Sequence, residues 1–345
     1  MADTKKEHFV PRCYLANFAS PSLKINLFDK WKVESRANQD IRNIAMENAF
    51  YDLDLLKLLE TIDTKDLETI QEDLKAIAGT DNWDEVKAII GNKKFVEKNF
   101  FARIEGMYAP LLESIIRKSY NGNAWAIRNC KCMSESEKVW LSLFISIQYI
   151  RTRRFRDTLS DMISGTAQTL AYKAQLDCEE SLPKDAFAVK MDSDFIKLQH
   201  SLMILDPTLS QHIAEILVNH IWVMGVNKTD IPFYTSDDPV IKIAHKKDDG
   251  FVSYAGFASE AIEIAFPISP NLLLCIYDPK VYGSVFSDLQ FFEIRDPENV
   301  KYYNWHQLHD CYRYVFSNDT DFNDAERFCA DHPEHQQYLS QIEVL

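Results

Sequence analysis

The chain has 345 residues, of which 46% are hydrophobic and 12% are aromatic, so it can bury a large core and is not a disordered protein. Its formal net charge is −14 at pH 7, which disfavours non-specific wrapping of nucleic acid because such a surface repels phosphates at long range. Only 9 glycines are present, and neither G-x-G-x-x-G nor G-x-x-x-x-G-K occurs, so a dinucleotide-binding loop or a P-loop has no support.

Signal and cysteine patterns bear on the cellular compartment. The first residues lack the apolar core of a signal peptide, and no run of about 18 apolar residues occurs, which disfavours secretion and membrane spanning. The 7 cysteines are scattered without C-x-x-C spacing, a pattern typical of buried thiols in a reducing cytoplasm. We therefore expect a cytoplasmic protein with no membrane partner and no metal site, and the sequence indicates no particular cofactor.

Helical periodicity dominates the chain up to about residue 220. Apolar residues at three- and four-residue steps predict helices over about residues 53–78, 84–90 and 94–118. The sequence Ser134-Glu135-Ser136-Glu137 is a capping box, which predicts a helix that begins there and continues beyond Phe155. Two further helices are expected at about 194–205 and 208–220.

The periodicity changes at Trp222. Short apolar runs bounded by Pro, Asp and Gly predict antiparallel strands within about 222–277, with turns at Ser236-Asp237-Asp238-Pro239 and Lys247-Asp248-Asp249-Gly250. Helices at about 297–316 and 322–341 follow.

These elements predict an α+β fold that is mostly α-helical. We expect a single domain over residues 1–345, with a helical region at about 40–220, a small antiparallel sheet at about 222–277 and C-terminal helices at about 297–341.

One polar residue continues an apolar stripe of the helix that Ser134 opens. Trp140, Phe144, Ile147 and Arg151 lie at steps of 4, 3 and 4. Burying an unpaired guanidinium costs several kcal/mol, so we expect one of two arrangements. Either Arg151 lies where the helix emerges into solvent, with its stem on apolar surface, or it pairs with Glu105 of the preceding helix and also meets an anionic ligand.

Two other segments leave similar alternatives. Asn304 and Gln307 share a helical face with apolar residues, which indicates either a buried structural network or amides that contact a ligand. Ser236 and Asp237 lie at a predicted turn, where such side chains cap their own backbone. They would otherwise supply a hydrogen-bond acceptor, a general base or a metal ligand.

The N-terminal stretch His8-Phe9-Val10-Pro11-Arg12-Cys13-Tyr14-Leu15-Ala16-Asn17-Phe18 is more apolar than a frayed terminus. We expect it to dock on the core and to place His8 near the Ser236-Asp237 turn. Its H-x-x-P-x-x-Y-L-x-x-F pattern resembles the opening of an uncharacterised microbial family, domain of unknown function 4238.

Dispersed pieces of the chain are also similar to that family. They are Glu105 and Tyr108; Arg151 and Thr152; Ser236, Asp237 and Pro239; Phe266, Pro267, Ser269 and Pro270; and Asn304, Tyr314, Val315 and Ser317. Arg153 departs from the pattern, which has proline at that position. The resemblance brings no activity with it, but it implies that the polar residues found by periodicity belong to the family's motifs.

We expect those polar residues to converge in one pocket. His8 or Asp237 would act as base or acid, while Glu105, Arg151, Ser236 and Asn304 would bind the substrate. The first hypothesis is an intracellular hydrolase, such as a nuclease or nucleotide-directed phosphodiesterase of microbial defence. The second is a non-enzymatic ligand-sensing or protein-interaction module with a buried polar network, and the third is a structural partner in a complex. Expected partners are accordingly a phosphate-bearing small molecule, a nucleic acid or a protein.

Overall fold

The computed structural model describes residues 6–52, 54–59, 71–72, 74–76, 78–120, 130–176, 183, 186–247 and 253–340. Within those residues the fold is helix-rich α+β, as the sequence predicted. Parts of two predicted elements, the helix at 53–78 and the turn at 247–250, lie outside the described residues.

The helices occur mostly where the periodicity placed them. The helix that begins at Glu135 has the predicted capping box, in which the Ser134 hydroxyl accepts from the backbone N–H of Glu137 at 3.2 Å and the Glu137 carboxylate accepts from that of Ser134 at 2.7 Å. The helices are α1 (Arg12–Leu15), α2 (Leu55–Leu59), α3 (Trp83–Ile90), a π-helical turn (Val96–Phe101) that runs into α4 (Ala102–Tyr120), α5 (Glu135–Ile150), α6 (Arg153–Gln175), α7 (Ser193–Leu205), α8 (Pro207–Val218), α9 (Pro279–Tyr282), α10 (Pro297–Asp310) and α11 (Asn323–Asp331).

The prediction of one continuous helix through Phe155 is wrong, because the helix ends at Ile150 and a new helix, α6, begins at Arg153. The Thr152 hydroxyl accepts from the backbone N–H of Phe155 at 3.3 Å and so caps a new helix. Trp140 was also misplaced: it is 50% exposed, and its neighbour Leu141 is buried instead. Arg151 itself is buried, at the junction of the two helices.

The predicted antiparallel block forms most of a five-stranded sheet. Its strand order is β10-β5-β9-β8-β7, and the sequence missed β10, which pairs parallel to β5. Side chains of α5 and α8 share one core cluster with one face of the sheet, and α10 contributes to a second cluster on the other face. Strands β5, β8 and β9 are therefore buried along their whole length. The strands are β5 (Ile221–Asn227), β7 (Ile241–Ala244), β8 (Ile262–Ser269), β9 (Leu272–Tyr277) and β10 (Gln290–Ile294).

A second sheet of four antiparallel strands joins the two ends of the described chain. Its order is β3-β2-β11-β6, and the strands are β2 (Lys24–Asp29), β3 (Glu34–Asp40), β6 (Thr235–Ser236) and β11 (Tyr314–Ser317). The prediction of a helix over 297–316 is wrong at its end, because the helix stops at Asp310 and residues 314–317 form β11. The reason is that the Asp237 carboxylate accepts from the backbone N–H groups of residues 312, 313 and 314 at 2.9–3.0 Å, which holds the chain out of helical conformation.

Two shorter features lie near the N-terminus, and a 3-10 turn (Pro333–Gln336) lies near the end of the described chain. Strand β1 (Lys6–His8) pairs antiparallel with β4 (Met46–Asn48), and a 3-10 turn (Ile41–Asn43) precedes β4. The predicted helix at 322–341 stops at Asp331, two residues before Pro333, which cannot continue the preceding helical hydrogen bonds.

Candidate functional site

A cleft of about 640 Å³ lies where the N-terminal segment meets the start of helix α4. Side chains from β1, α1, the 3-10 turn and the π-helical turn surround it. The cleft is lined by Lys6, His8, Arg12, Arg42, Asn43, Glu97, Lys98, Ala102 and Glu105. We call it the His8 cleft.

His8 is fixed by hydrogen bonds to its own backbone and to that of the next residue. The Arg151 Nη2 atom donates to the His8 carbonyl at 2.6 Å, and the Phe9 N–H donates to the Ala45 carbonyl at 3.0 Å. The Gln148 amide donates to the Phe9 carbonyl at 3.2 Å. The prediction that the N-terminal segment is ordered against the core is therefore confirmed.

Arg151 makes the predicted ion pair with Glu105. Its Nη1 atom donates to the Glu105 carboxylate at 3.0 Å, and its guanidinium carbon lies 3.8 Å from the centre of the Phe101 ring. The Arg151 side chain is 1% exposed, whereas that of Glu105 is 24% exposed because it reaches the cleft. The arginine therefore links the cleft to the core while keeping its own charge away from solvent.

The imidazole of His8 is neutral at physiological pH. Burial, assisted by the charges of Arg12 and Arg151, lowers the pKa of His8 to about 4. Its Nε2 atom is buried and has no hydrogen-bond partner among the described residues. An open nitrogen on a neutral imidazole can accept a proton.

Glu97 lines the same cleft, and its pKa is shifted in the opposite direction from that of His8. Burial raises the pKa of Glu97, although the Arg151 charge works against this shift. Its Oε2 atom is also buried without a hydrogen-bond partner among the residues that the structure describes. A carboxyl group held towards its protonated form is suited to donate a proton.

Four cationic side chains line the His8 cleft against two carboxylates. Arg42 is held by Asp40, whose carboxylate accepts at 2.9 Å and 2.6 Å. Arg12 is exposed, and no ion pair to another described residue holds it. The local excess of positive charge contrasts with the net charge of −14 for the whole chain.

The remaining predicted site residues do not line this cleft. Both carboxylate oxygens of Asp237 accept backbone N–H groups, and the Ser236 hydroxyl accepts the backbone N–H of Asp238 at 3.2 Å. Asn304 accepts from the Tyr234 N–H at 2.8 Å and donates to the Pro232 carbonyl at 2.9 Å. These three residues belong to a network that holds backbone segments together.

His8 was also expected to pack near the Ser236-Asp237 turn. The N-terminal segment does reach the strand before that turn, but through Tyr14, whose hydroxyl lies 2.7 Å from the Thr235 hydroxyl. The contacts of Asp237 are with residues 312–314 instead. The structure thus brings His8, Glu105 and Arg151 together and leaves the other three predicted residues in the structural network.

The basic segment at residues 151–156 is not an exposed patch. Arg153 pairs with Glu47 at 2.6 Å, and Arg156, which is 7% exposed, donates to His200 at 2.9 Å. Arg154 and Arg151 have side-chain exposures of 15% and 1%. The segment therefore offers little charge to a nucleic-acid backbone.

Sequence reasoning missed Glu97, although a signal for it was present. Glu97 lies four residues before Phe101 and so continues the apolar stripe of Ile104 and Tyr108 backwards. The same argument that singled out Arg151 would have found it. Arg12 carries no comparable signal, because an exposed arginine in a short helix is unremarkable by sequence.

A comparison with known protein families shows the family to which the chain belongs. The model of the family described as "Protein of unknown function (DUF4238)" matches residues 6–321. The chain belongs to this family. No curated protein and no solved structure matches it.

The DUF4238 motif pieces fall into two groups. His8, Glu105, Tyr108 and Arg151 lie at or beside the His8 cleft, and Thr152 caps α6. Ser236, Asp237 and Asn304 belong to the structural network. Arg153, at the position where the sequence resemblance led us to expect proline, is the first residue of α6. That position accepts proline readily because its N–H needs no intrahelical partner, so the departure leaves the helix start intact.

The described residues also bear on metal binding and on membrane spanning. No group of three or more His, Cys, Asp or Glu side chains among them is arranged to hold a metal ion. None of their helices is both long and apolar enough to cross a lipid bilayer.

Proposed function

We propose that this chain is a hydrolase of a small phosphate-bearing molecule and that the His8 cleft is its active site. One observation carries the proposal: two buried proton-transfer atoms, His8 Nε2 and Glu97 Oε2, have no hydrogen-bond partner among the described residues, and they lie beside a cleft with four cationic side chains. Unpartnered buried polar atoms are costly, and they cluster where a ligand supplies the missing contacts.

The chemistry follows from the charge states of these groups. Neutral His8 takes a proton from a water molecule while the oxygen of that water forms a bond to phosphorus. The bond from phosphorus to the leaving oxygen breaks, and Glu97 gives its proton to that oxygen. Arg12 and Lys98 bind the phosphate oxygens and stabilise the negative charge of the transition state. Arg151 is a positioning residue, because it holds the His8 backbone and the Glu105 carboxylate.

Three properties favour a small molecule over a polymer. The volume of about 640 Å³ is that of an ordinary small-molecule site. The basic segment at 151–156 is largely buried, and the net charge of −14 disfavours long polyanions. A nucleotide or a similar phosphodiester in the cytoplasm suits these constraints, and the setting of microbial defence stays a prediction.

The test is a substrate screen on purified protein with and without divalent metal ions. Bis(p-nitrophenyl) phosphate, nucleoside mono- and triphosphates, cyclic nucleotides, RNA and DNA are offered to wild type and variants. We expect His8→Ala and Glu97→Gln to lower kcat by about 10²- to 10⁴-fold, the usual contribution of a general acid or base. Arg12→Ala should raise KM more than it lowers kcat.

Matched controls are His212→Ala and Arg327→Ala, which change exposed residues outside the His8 cleft. Both should keep wild-type activity. Equal turnover in wild type, His8→Ala and Glu97→Gln would reject this active site. Absence of turnover with every substrate, combined with tight binding of a phosphate compound, would favour the ligand-sensing module instead.

A further inference from the structure

A second, smaller cavity of about 140 Å³ lies beside the first turn of helix α6. It contains charged side chains of both signs: Arg154 and Lys242 are cationic, and Asp238 and Asp310 are anionic. The hydroxyl of Tyr149 also lines it and accepts from the Lys242 ammonium at 3.1 Å. We call it the Arg154 cavity.

The Arg154 guanidinium faces two carboxylates of the cavity beyond hydrogen-bond distance, and one of them, Asp310, accepts instead from His309 Nδ1 at 2.8 Å. The Arg154 guanidinium lies 3.8 Å from Asp238 Oδ2 and 4.0 Å from Asp310 Oδ1, longer than a hydrogen bond. Asp238 is only 6% exposed, and its Oδ1 atom has no hydrogen-bond partner within the described part of the chain. Groups that are paired for stability alone would be expected to close these gaps.

An apolar groove of about 610 Å³ adjoins the cavity. The two share Tyr149, Phe155, Thr158 and Lys242 along their common wall. Beyond that wall the groove is lined mostly by apolar side chains, including Leu159, Met162, Ile213 and Phe257. A molecule whose charged end lies in the cavity can therefore place an apolar end in the groove.

We propose that the Arg154 cavity and this groove bind a free α-amino acid with an apolar side chain. Its ammonium group donates to Asp238 Oδ1 and its carboxylate accepts from Arg154 or Lys242. The apolar side chain lies against Met162 and Phe257. The ligand is thus a zwitterion attached to a hydrophobic group.

Charge balance selects a zwitterion over a simple ion. The cavity holds two cationic and two anionic side chains, so an anion alone would leave Asp238 without a donor and add repulsion from Asp310. A cation alone would leave the N–H groups of Arg154 without an acceptor. Burial, with the charges of Asp237 and Asp310, raises the pKa of Asp238 to about 7, and a bound ammonium would return this carboxyl to its ionised form.

This inference does not depend on the proposed hydrolase. The Arg154 cavity and the His8 cleft share no lining residue. The sequence favoured Asp237 as the functional carboxylate at this turn, but both of its carboxylate oxygens accept backbone N–H groups. The adjacent Asp238 lines the cavity instead.

The test is calorimetric titration of the full chain with L-leucine, L-methionine and L-phenylalanine. We expect saturable binding of at least one of them. Phenethylamine and 3-phenylpropionate, which each lack one charge of phenylalanine, should bind at least 10-fold more weakly than the amino acid that carries both. His8→Ala should leave the affinity unchanged.

Two variants test the cavity and the groove separately. Asp238→Asn keeps the side-chain size and should weaken binding at least 10-fold, whereas Asp230→Asn, on an exposed residue, should not. Met162→Glu places a charge in the groove, and because Met162 is 44% exposed this variant should fold and still lose affinity. Failure of all three amino acids to bind, or equal binding of phenethylamine, would overturn the proposal. So would unchanged affinity in both Asp238→Asn and Met162→Glu.

Discussion

The His8 cleft and the structural network of Ser236, Asp237 and Asn304, which we call the late-helix network, both bury polar side chains. They differ in what the hydrogen bonds of those side chains hold. In the late-helix network, the hydrogen bonds of Asn304 and Asp237 end on backbone groups that the side chains hold in place. Beside the His8 cleft, Arg151 is used in that way, whereas His8 Nε2 and Glu97 Oε2 have no hydrogen-bond partner among the residues that the structure describes. A buried polar residue indicates a ligand site only when its hydrogen-bonding capacity is not already used by the backbone.

Replacing Arg151 should have the largest effect of any change in this comparison. Arg151→Ala removes the partner of Glu105 and the donor to the His8 carbonyl, and we expect a loss of about 3 kcal/mol in the free energy of unfolding. Urea denaturation followed by circular dichroism measures this loss. Arg327→Ala, whose side chain is 72% exposed, is the control. A midpoint for Arg151→Ala equal to that of the control would mean that the ion pair contributes nothing.

Replacing Asn304 tests whether the late-helix network is purely structural. Asn304→Ala leaves the Tyr234 N–H and the Pro232 carbonyl without their partner, and we expect a loss of about 2 kcal/mol. Asn299→Ala, on an exposed position of the same helix, should change little. Ligand binding and turnover by the folded variant should equal those of wild type. A selective loss of either one would return Asn304 to the role of ligand contact.

The pH dependence of stability separates Asp238 from the rest of that network. Its pKa of about 7 in the folded protein exceeds the ordinary value of 3.8, because burial and the charges of Asp237 and Asp310 favour the protonated form over the opposing effect of Arg154. The folded chain therefore holds this proton more tightly than the unfolded chain. The stabilisation is complete below about pH 4 and is lost as the pH rises through about 7.

Asp238→Asn should remove this loss, so the variant should gain stability relative to wild type as the pH rises from about 4 to about 7. Asp230→Asn is the matched control, because Asp230 is exposed. Denaturation at a series of pH values measures the difference. Parallel curves for wild type and Asp238→Asn would contradict the buried, perturbed carboxyl group.

The smallest effect expected is on the titration of His8. Nuclear magnetic resonance of the imidazole should give a pKa of about 4. Arg151→Met should raise this pKa, because it removes one of the two cations that oppose protonation, whereas Asn304→Ala should leave it unchanged. Inorganic phosphate bound in the cleft should also raise it. An equal response of His8 to both substitutions would erase the distinction between the two regions.

Sequence periodicity was enough to find most of the helices and to single out Arg151 as a charged residue on an apolar stripe. It left the pair with Glu105 as one of two arrangements, because spacing alone does not record whether the end of the helix emerges into solvent or is buried against a neighbouring helix. The strands within 222–277 were found in the same way, from short apolar runs. The break at Thr152 was missed, because the apolar spacing continues across it while the cap is a single hydroxyl.

Other features depend on contacts between distant residues. The end of α10 at Asp310 is set by the Asp237 carboxylate, more than seventy positions earlier in the chain, and no spacing near Cys311 records it. Strand β2 likewise lies inside the four-stranded sheet only because it pairs with β11, which is distant in the sequence. The choice between Asp237 and Asp238 has the same origin, because two adjacent carboxylates look alike until the strand that precedes them is placed.

The four-stranded sheet has a consequence for how the protein is made. Strand β2 pairs Asn26 with Ser317, so this sheet cannot close until nearly all of the described chain has left the ribosome. At about 5–20 residues per second, β2 and β3 wait roughly 14–55 s for β11 to emerge. The five-stranded sheet draws its strands from residues 221–294 alone and can assemble earlier. The Arg154 cavity, which needs Asp310 and the turn that follows β6, is therefore among the last parts of the molecule to form.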